Sequence, residues 1–267
     1  MANPLLFRIY GLKKNLSKVT KMHGLGTIIN TAAILLCGAI GLFIKKGLNQ
    51  KLIDSVTRAI GVAVMFIGIS GALTGLLKVE PDRSLETQGT MLLIISLILG
   101  TFLGELLKIE DRLETVGEKL KKTVKADSSG NFVEGFVTTT LIFCVGAMAI
   151  VGSLNDGLTG DYSMLAAKSV LDGIMALITA STMGIGVLFS AIPVLIYQGA
   201  ITLLSEFISP ILSEQLVANL SYVGSALIFG IGVNLVFGKK IKTGNMLPAL
   251  LVPIIYEIFT KLILPLF

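Results

Sequence analysis

Two residues of opposite charge, Lys168 and Asp172, stand four positions apart inside a long apolar segment. On an α-helix this spacing places both side chains on one face, where they can form an ion pair. Charged groups inside the hydrocarbon of a membrane are costly, and those that occur there usually belong to a substrate or ion pathway. Two interpretations are open for the pair: a structural clamp near the outer membrane interface, or a gate for an ion or substrate.

Other polar residues also interrupt apolar segments and are candidates for the same pathway. Such side chains can coordinate a solute, or they can simply hydrogen-bond between neighbouring helices. The glycine-rich residues 145–161 suit a turn because Asn155, Asp156 and Gly157 follow one another there. They predict either an acidic outer loop or a mouth that attracts cations. The candidate pathway residues are Asn30, Ser153, Asn155, Asp156, Lys168, Asp172, Ser190, Gln198, Asn234 and Asn245.

A helix break is expected between Ser181 and Pro193, with Gly184 at a tight turn. Proline lacks the N–H that a helix uses and disturbs the carbonyl group four residues earlier. Backbone groups freed by a break within a membrane must be buried in protein or face water. The segment therefore predicts either a solute site at a broken helix or a packed kink, with Ser181, Gly184 and Pro193 as hinge residues.

The sequence contains no catalytic or metal-binding constellation. An ordinary zinc site needs three or four Cys, His or carboxylate ligands close together, and the chain has one His and two Cys. Cys37 and Cys144 both lie in apolar segments, where a thiol behaves as a small hydrophobe. No dinucleotide-binding fingerprint follows a strand. We therefore expect no enzymatic activity, no metal, no cofactor and no nucleic-acid partner.

The elements that carry these residues are expected to be transmembrane helices. Apolar residues make up 53% of the 267 positions and charged residues only 15%, whereas a soluble domain carries about a quarter charged residues. A helix needs about 20 residues to cross the hydrocarbon. Uncharged segments of that length predict an all-α polytopic bundle with eight spans, over residues 24–44, 59–77, 87–104, 135–155, two spans within 165–205 that divide near 181–184, 215–238 and 243–256.

Lys and Arg in the short connections predict the orientation, because basic loops stay on the cytoplasmic side of a membrane. The connections after predicted spans 1, 3 and 7 are basic, whereas the connections near 153–163 and 206–214 contain neither Lys nor Arg. The basic connections include the charged loop 108–130, which we expect to begin as a helical extension of span 3. These three loops are therefore predicted to be cytoplasmic, with both ends of the chain outside.

Residues 1–23 form a basic extension that conflicts with this orientation. The chain has 22 basic and 17 acidic residues, and residues 1–21 hold five of the basic residues and no acid, so 17 of each remain. Apolar residues at steps of four and three predict an amphipathic helix on an anionic membrane surface. Alternatively, Met22 is the physiological start. Residues 24–267 form the transmembrane domain under either interpretation.

Short strings recur along the chain and suggest internal repeats with broken helices. Gly41 and Gly104 align near the ends of predicted spans 1 and 3, and residues 141–146 resemble residues 227–232. Repeats are common in secondary transporters, although apolar sequence of low complexity also matches by chance. Spacings such as Gly100 to Gly104 favour close helix packing and a homo-oligomer.

Six further strings occur in order along the chain: GTIIN at 26–30, GELLKIEDRL at 104–113, VGAMAIVGSL at 145–154, KSVLDG at 168–173, VLFSAIPVLIYQG at 187–199 and NMLPAL at 245–250. Together they resemble the bacterial integral membrane family called Domain of Unknown Function 554, over roughly residues 24–264. The resemblance implies a polytopic protein of the bacterial cytoplasmic (inner) membrane and points to transport. It supplies no substrate and no catalytic residue.

We therefore expect a helical protein of the lipid bilayer that moves a small solute or ion. In outline, the broken segment between Ser181 and Gln198 binds the solute while the repeats rock around it. The alternative is a membrane scaffold or partner subunit whose polar residues serve helix packing. A transporter predicts that Asp156, Lys168, Asp172 and Gln198 converge on a water-accessible cavity near the membrane interior. Side chains that point separately into lipid-facing or tightly packed positions would contradict transport.

Overall fold

Helices make up almost all of the computed structural model, which describes residues 23–45, 47, 49–81, 83–125, 132–210 and 212–263. The predicted basic extension lies outside the described residues, except for His23. The elements in chain order are α1 (Leu25–Lys45), α2 (Gln50–Leu76), β1 (Leu77–Val79), β2 (Leu85–Thr87), α3 (Thr90–Leu107), α4 (Ile109–Thr123), α5 (Phe132–Cys144), α6 (Ala147–Thr159), α7 (Ser163–Met183), α8 (Gly186–Phe189), α9 (Ala191–Leu203), α10 (Ser205–Ile208), α11 (Glu214–Phe237), a 3₁₀ segment (Thr243–Leu250), α12 (Leu251–Ile258) and a π-helical turn (Phe259–Ile263).

Seven helical segments in the described ranges are long and apolar enough to cross a membrane by length and composition. An eighth crossing results when α5 and α6 are counted as one bent span, in which Phe132–Cys144 and Met148–Thr159 meet at 61°. Large apolar side chains such as Phe66 and Phe102 are about 70% exposed on the outside of the bundle, as a surface against lipid requires. The predicted all-α polytopic bundle is confirmed, and so are its broken helices.

The second span begins earlier than predicted. Helix α2 starts at Gln50, after Asn49, whose side-chain oxygen accepts a hydrogen bond from the Leu52 N–H at 2.8 Å. This contact is an N-cap, which satisfies one of the unpaired N–H groups at a helix start. The prediction of a start at residue 59 was wrong. The uncharged segment begins only after Arg58, whereas the helix itself extends back to its N-cap at Asn49.

The charged segment after α3 is helical but does not extend α3. Lys108 adopts a left-handed conformation with φ of 51°, which ends α3 and turns the chain before α4 begins. The backbone N–H of Glu110, in the first turn of α4, donates to Asn245 Oδ1 at 2.7 Å. The expected continuous extension was therefore wrong, because a side chain from the distant 3₁₀ segment fixes the start of α4.

Two glycines with positive φ mark helix ends inside the bundle. Gly146, with φ of 142°, separates α5 from α6, and Gly184, with φ of 91°, ends α7. Only glycine adopts such values without a steric penalty. The turn at Gly184 lies where the sequence predicts the division between two spans. The break at Gly146 divides a span that the sequence predicts as continuous.

The other two predicted hinge residues lie beside the break rather than at it. Ser181 lies within α7, where its hydroxyl donates to the Ile178 carbonyl at 2.7 Å. Pro193 lies in the first turn of α9, where a helix has no intrahelical acceptor for the missing N–H. A second, smaller irregularity falls at Ser190, between α8 and α9, which together form one span over Gly186–Leu203.

Glycines allow the principal helix pairs to pack at very short range. A Cβ on Gly68 of α2 would lie 2.5 Å from the Phe229 backbone nitrogen of α11, and one on Gly104 of α3 would overlap the Asn245 carbonyl group. Small residues at such positions let helix backbones approach each other in membranes. The predicted close packing of Gly100 and Gly104 is thus a contact within the chain, with the 3₁₀ segment.

A short antiparallel hairpin joins α2 to α3. Leu77 pairs with Thr87 and Val79 with Leu85. Lys78 and Glu80 form an ion pair of 2.6 Å on this hairpin, and the Lys78 side chain is 57% exposed. Along the chain, the hairpin is well separated from the polar residues of α1, α7 and α9. Substitutions on it can therefore serve as controls.

Candidate functional site

Four polar side chains from three helices meet in the interior, and we call them the polar centre: Asn30 of α1, Lys168 and Asp172 of α7, and Gln198 of α9. Lys168 Nζ lies 2.5 Å from Asp172 Oδ2. Asn30 Nδ2 donates to Asp172 Oδ2 at 2.9 Å and to Gln198 Oε1 at 3.3 Å. Asn30 and Gln198 are fully buried, and the other two residues are 6% exposed.

Close packing of α1 against α7 determines where the polar centre forms. A Cβ on Gly26 would lie 2.7 Å from the Leu165 Cβ, and one on Gly41 would overlap the Leu177 carbonyl oxygen. With no side chain between the two backbones, the short Asn30 side chain reaches Asp172 directly. The spacing of the charged pair is visible in the sequence, but its partner residues, Asn30 and Gln198, lie more than 25 positions away in each direction.

The polar centre leaves hydrogen-bonding capacity unused. Within the described residues, Asn30 Oδ1 and Gln198 Nε2 have no hydrogen-bond partner although both atoms are buried. The hydroxyl oxygens of Thr27 and Ser153 are likewise buried and without a partner in that part of the chain. Buried polar groups are nearly always satisfied, so exceptions call for a specific explanation such as a bound water or ligand. Asn30 Oδ1 is an acceptor and Gln198 Nε2 is a donor, and a small polar molecule can satisfy both kinds of group.

The break between α5 and α6 lies next to the polar centre. The Phe143 ring, fully buried, has its centroid 6.0 Å from Lys168 Nζ, and a ring face at that distance attracts a cation. Gly146 follows three residues later. A break leaves the last carbonyl groups of one helical segment and the first N–H groups of the next without intrahelical partners. Discontinuous helices beside a midplane site are typical of secondary transporters.

A cavity of about 430 Å³ opens at the end of the bundle where α1 begins, and we call it the His23 cavity. Its lining includes Thr27 and Thr202. Thr27 precedes Asn30 by three residues, about 4.5 Å along α1, and Thr202 follows Gln198 by four on α9. The His23 cavity therefore ends about one helical turn from the polar centre.

A second cavity, of about 760 Å³, opens at the end where α1 finishes, and we call it the Lys45 cavity. Its charged lining residues are Lys45, Asp54, Arg58 and Glu134, and Thr182 of α7 also lines it. Thr182 follows Asp172 by ten residues, about 15 Å along the helix. Ala176 and Ala180, both fully buried, occupy α7 over that distance. An apolar layer thus separates the polar centre from the Lys45 cavity.

Asp156 lies apart from the polar centre and caps α1. Its Oδ1 and Oδ2 accept hydrogen bonds from the backbone N–H groups of Gly24 at 3.1 Å and Gly26 at 2.9 Å. A carboxylate at a helix N-terminus satisfies unpaired donors and interacts favourably with the helix dipole. The prediction of a turn around Asn155–Gly157 was wrong, because these residues belong to α6. The Asp156 carboxylate accepts its hydrogen bonds from backbone N–H groups at the start of α1.

Three other predicted pathway residues contact different parts of the bundle. Asn155 lines a separate cavity of about 500 Å³. Ser153 is fully buried on α6, and its carbonyl accepts a hydrogen bond from the Thr202 hydroxyl at 3.1 Å, beside the His23 cavity. Ser190 is fully buried and donates to the Val187 carbonyl at 2.6 Å, eight residues before Gln198.

Asn234 and Asn245 organise the turn that follows α11. Asn234 Oδ1 accepts hydrogen bonds from the backbone N–H groups of Lys240 and Ile241, both at 2.9 Å. Asn245 holds the start of α4, as described above. Within the described ranges, neither residue forms a hydrogen bond with the polar centre.

An ion-pair network outside the spans holds this turn against α4. Lys239 Nζ lies 2.8 Å from Glu110 Oε1 and also pairs with Glu114. Partial burial lowers the pKa of Lys239, but hydrogen bonds and attraction to the two carboxylates outweigh that effect and raise it overall. The network thus keeps Lys239 charged and links the α11–3₁₀ turn to α4.

Sequence reasoning did not single out Thr27, Phe143 or Gly146 as site residues. Thr27 carries a usable signal, because it precedes Asn30 by three positions and so shares its helix face. Phe143 and Gly146 carry no such sequence signal, because phenylalanine and glycine are common in any span. Among the described residues, no three His, Cys, Asp or Glu side chains are grouped as metal ligands would be.

Comparison with known proteins identifies relatives over most of the chain. The family model described as "Protein of unknown function (DUF554)" matches residues 25–258. Uncharacterized membrane protein YdfK of Bacillus subtilis is 34% identical over 228 residues, which cover 85% of this chain and 93% of YdfK. Uncharacterized protein YqgA of Escherichia coli is 31% identical over 231 residues, with the same two shares. No solved structure gives a significant match.

Proposed function

The chain belongs to the DUF554 family, and we propose that it transports a small solute or ion across the membrane through the polar centre. The observation that carries this proposal is the buried Lys168–Asp172 pair with two unsatisfied atoms beside it, Asn30 Oδ1 and Gln198 Nε2. Polar groups inside a membrane are costly and usually belong to a pathway. Helix packing alone leaves these two buried atoms without a partner.

The two cavities give the solute its route. The His23 cavity ends about 4.5 Å from Asn30 along α1, whereas about 15 Å of α7 separates Asp172 from the Lys45 cavity. Buried apolar side chains, including Ile34 and Ala176, fill the second distance. In the proposed cycle, this arrangement is the state in which the polar centre is closer to the His23 end and closed toward the Lys45 end.

Transfer toward the Lys45 end requires this apolar layer to open. The α5/α6 span is interrupted at Gly146 and the α8/α9 span at Ser190, and both spans border the polar centre. Sharp bends in helices occur at local irregularities of the hydrogen-bond pattern, so we take these two positions as hinges. In the proposed cycle these two spans move, while α1 and α7 stay together as a glycine-packed pair.

We propose an orientation in the bacterial inner membrane with the Lys45 cavity and α4 on the cytoplasmic side. In a variant with Cys37→Ala and Cys144→Ala, we expect Glu118→Cys on α4 to react with an impermeant maleimide only after the cells are permeabilised. Glu214→Cys, at the opposite end, should react on intact cells; both positions are exposed. The reverse labelling pattern would show that the orientation is inverted.

A ligand screen followed by flux measurement tests the transport proposal. We expect at least one compound from a panel of alkali and alkaline-earth cations, carboxylates and amino acids to raise the Tm of the detergent-solubilised protein. Saturating a site at about 100 times Kd adds about 2.7 kcal/mol of stability. The Asp172→Asn variant should lose the shift, and the control Glu80→Gln on the hairpin should keep it.

The compound found in this way should also enter proteoliposomes that contain the native protein, and enter more slowly when they contain Asp172→Asn. A flat response to the whole panel, or a shift without any flux, would favour the scaffold alternative and contradict transport.

A further inference from the structure

We propose that the polar centre selects a small solute of zero net charge that presents a hydrogen-bond donor and an acceptor together. This inference rests on the proposed transport function and names the class of its substrate. Zwitterions such as amino acids and neutral amides both meet the description. Inorganic ions and singly charged organic ions do not.

The first support is the charge of the centre itself. Lys168 and Asp172 neutralise each other at 2.5 Å, and their side chains are only 8% and 9% exposed. A solute with net charge would therefore enter a low-dielectric interior without a counter-charge of its own. An uncompensated charge in such surroundings is strongly disfavoured. A neutral amide carries no such charge, and a zwitterion brings both signs together, so neither adds an uncompensated net charge.

The second support is the hydrogen-bond inventory. Both N–H groups of the Asn30 amide are used, one on Asp172 and one on Gln198, and the Gln198 carbonyl oxygen is the acceptor of the latter bond. Among the described residues of the centre, the fully buried atoms with no partner at all are Asn30 Oδ1, an acceptor, and Gln198 Nε2, a donor. A ligand that leaves a buried donor or acceptor unpaired loses affinity. The matching solute therefore supplies one donor and one acceptor.

The third support is the approach on either side. The Lys45 cavity is lined by two cations, Lys45 and Arg58, and two anions, Asp54 and Glu134. Toward the His23 cavity, the groups nearest the centre are the hydroxyls of Thr27 and Thr202. Neither approach carries a cluster of like charges: the signs balance in the Lys45 cavity, and the His23 cavity is lined by one carboxylate, Glu206, whereas a lining of several like charges concentrates an ion of opposite sign.

Compounds matched in size and differing in charge test the inference. Thermal melts of the purified full-length protein are measured with L-alanine, propionamide, propionate and ethylammonium. A larger series contains γ-aminobutyrate, butyramide, butyrate and propylammonium, and the chlorides of Na⁺, K⁺ and Mg²⁺ complete the set. We expect the Tm to rise with the zwitterion or the amide of at least one series and to stay unchanged with every singly charged compound and inorganic ion.

Two substitutions at one position sharpen the test. Gln198→Met keeps the approximate size but removes the unpaired donor, so the affinity should fall by about tenfold. Gln198→Glu adds a negative charge when ionised, so preference should move toward ethylammonium or propylammonium. Glu80→Gln, on the exposed hairpin, should change neither result.

Each outcome separates this inference from the proposed function. A shift with the zwitterion alone identifies a zwitterion site, and a shift with the amide alone identifies an amide site; both support the inference. A shift with a charged compound that Asp172→Asn abolishes leaves transport standing and overturns zero net charge. Binding that Gln198→Met leaves unchanged overturns the assigned donor. No shift with any compound contradicts the proposed function as well.

Discussion

The Asp172→Asn variant should lose about 3–5 kcal/mol of stability, the usual cost of removing one partner of a buried ion pair. The substitution leaves Lys168 with 8% side-chain exposure and no opposite charge within the pair. Asn30 also loses its charged acceptor. The change is measured as a lower Tm and a lower denaturation midpoint of the purified protein in detergent.

A double variant distinguishes a functional pair from a structural clamp. Lys168→Met with Asp172→Leu removes both charges and fills a similar volume, and such replacements are often neutral for stability. We expect the double variant to recover stability to within about 1 kcal/mol of the native protein and still to lose every solute-dependent shift. Glu80→Gln, which breaks an exposed pair, should change stability by less than about 0.5 kcal/mol. Retention of solute binding by the double variant would contradict the assigned site.

The Gly104→Ala variant should lose about 2 kcal/mol of stability through overpacking. The new methyl group would overlap the Asn245 carbonyl group of the 3₁₀ segment, so α3 and that segment must move apart. Asn245 also caps α4, so the displacement should reach α4. The expected fall in Tm is about 4–8 °C, given about 2–4 °C for each kcal/mol in a chain of this size.

Gly199→Ala on α9 is the matched control, because no atom lies within 4 Å of the added methyl group. Alanine is a better helix former than glycine by about 1 kcal/mol, so this variant should be as stable as the native protein or slightly more stable. If Gly104→Ala matches Gly199→Ala, the close approach of α3 to the 3₁₀ segment is wrong.

The amino-acid sequence determined the class of fold and the positions of the spans. Hydropathy acts locally, since a segment of about 20 uncharged residues has to cross the bilayer as a helix wherever the other segments lie. The same local logic predicted the Lys168–Asp172 pair, because spacing along one helix sets which side chains share a face. The turn at Gly184 was predicted because the uncharged segment 173–205 is too long for a single crossing.

Helix boundaries and caps were less accessible to sequence reasoning. Three residues were predicted to line the pathway because each is a polar side chain in or near an apolar segment: Asp156, Asn234 and Asn245. In the structure each satisfies backbone N–H groups, Asp156 on α1 and Asn245 on α4. A polar residue in a span and a polar residue that caps another helix have the same local sequence, so only the packing tells them apart.

The tertiary structure alone decided which polar residues form a site. Asn30 lies 142 residues before Asp172 and Gln198 lies in the next span after it, and the glycines that pack α1 against α7 bring Asn30 to Asp172. The sequence fixes periodicity within each helix, but the pairing of helices depends on shape complementarity between distant surfaces. For that reason the charged pair was predictable, whereas its amide partners and their two unsatisfied atoms became evident only in the folded chain.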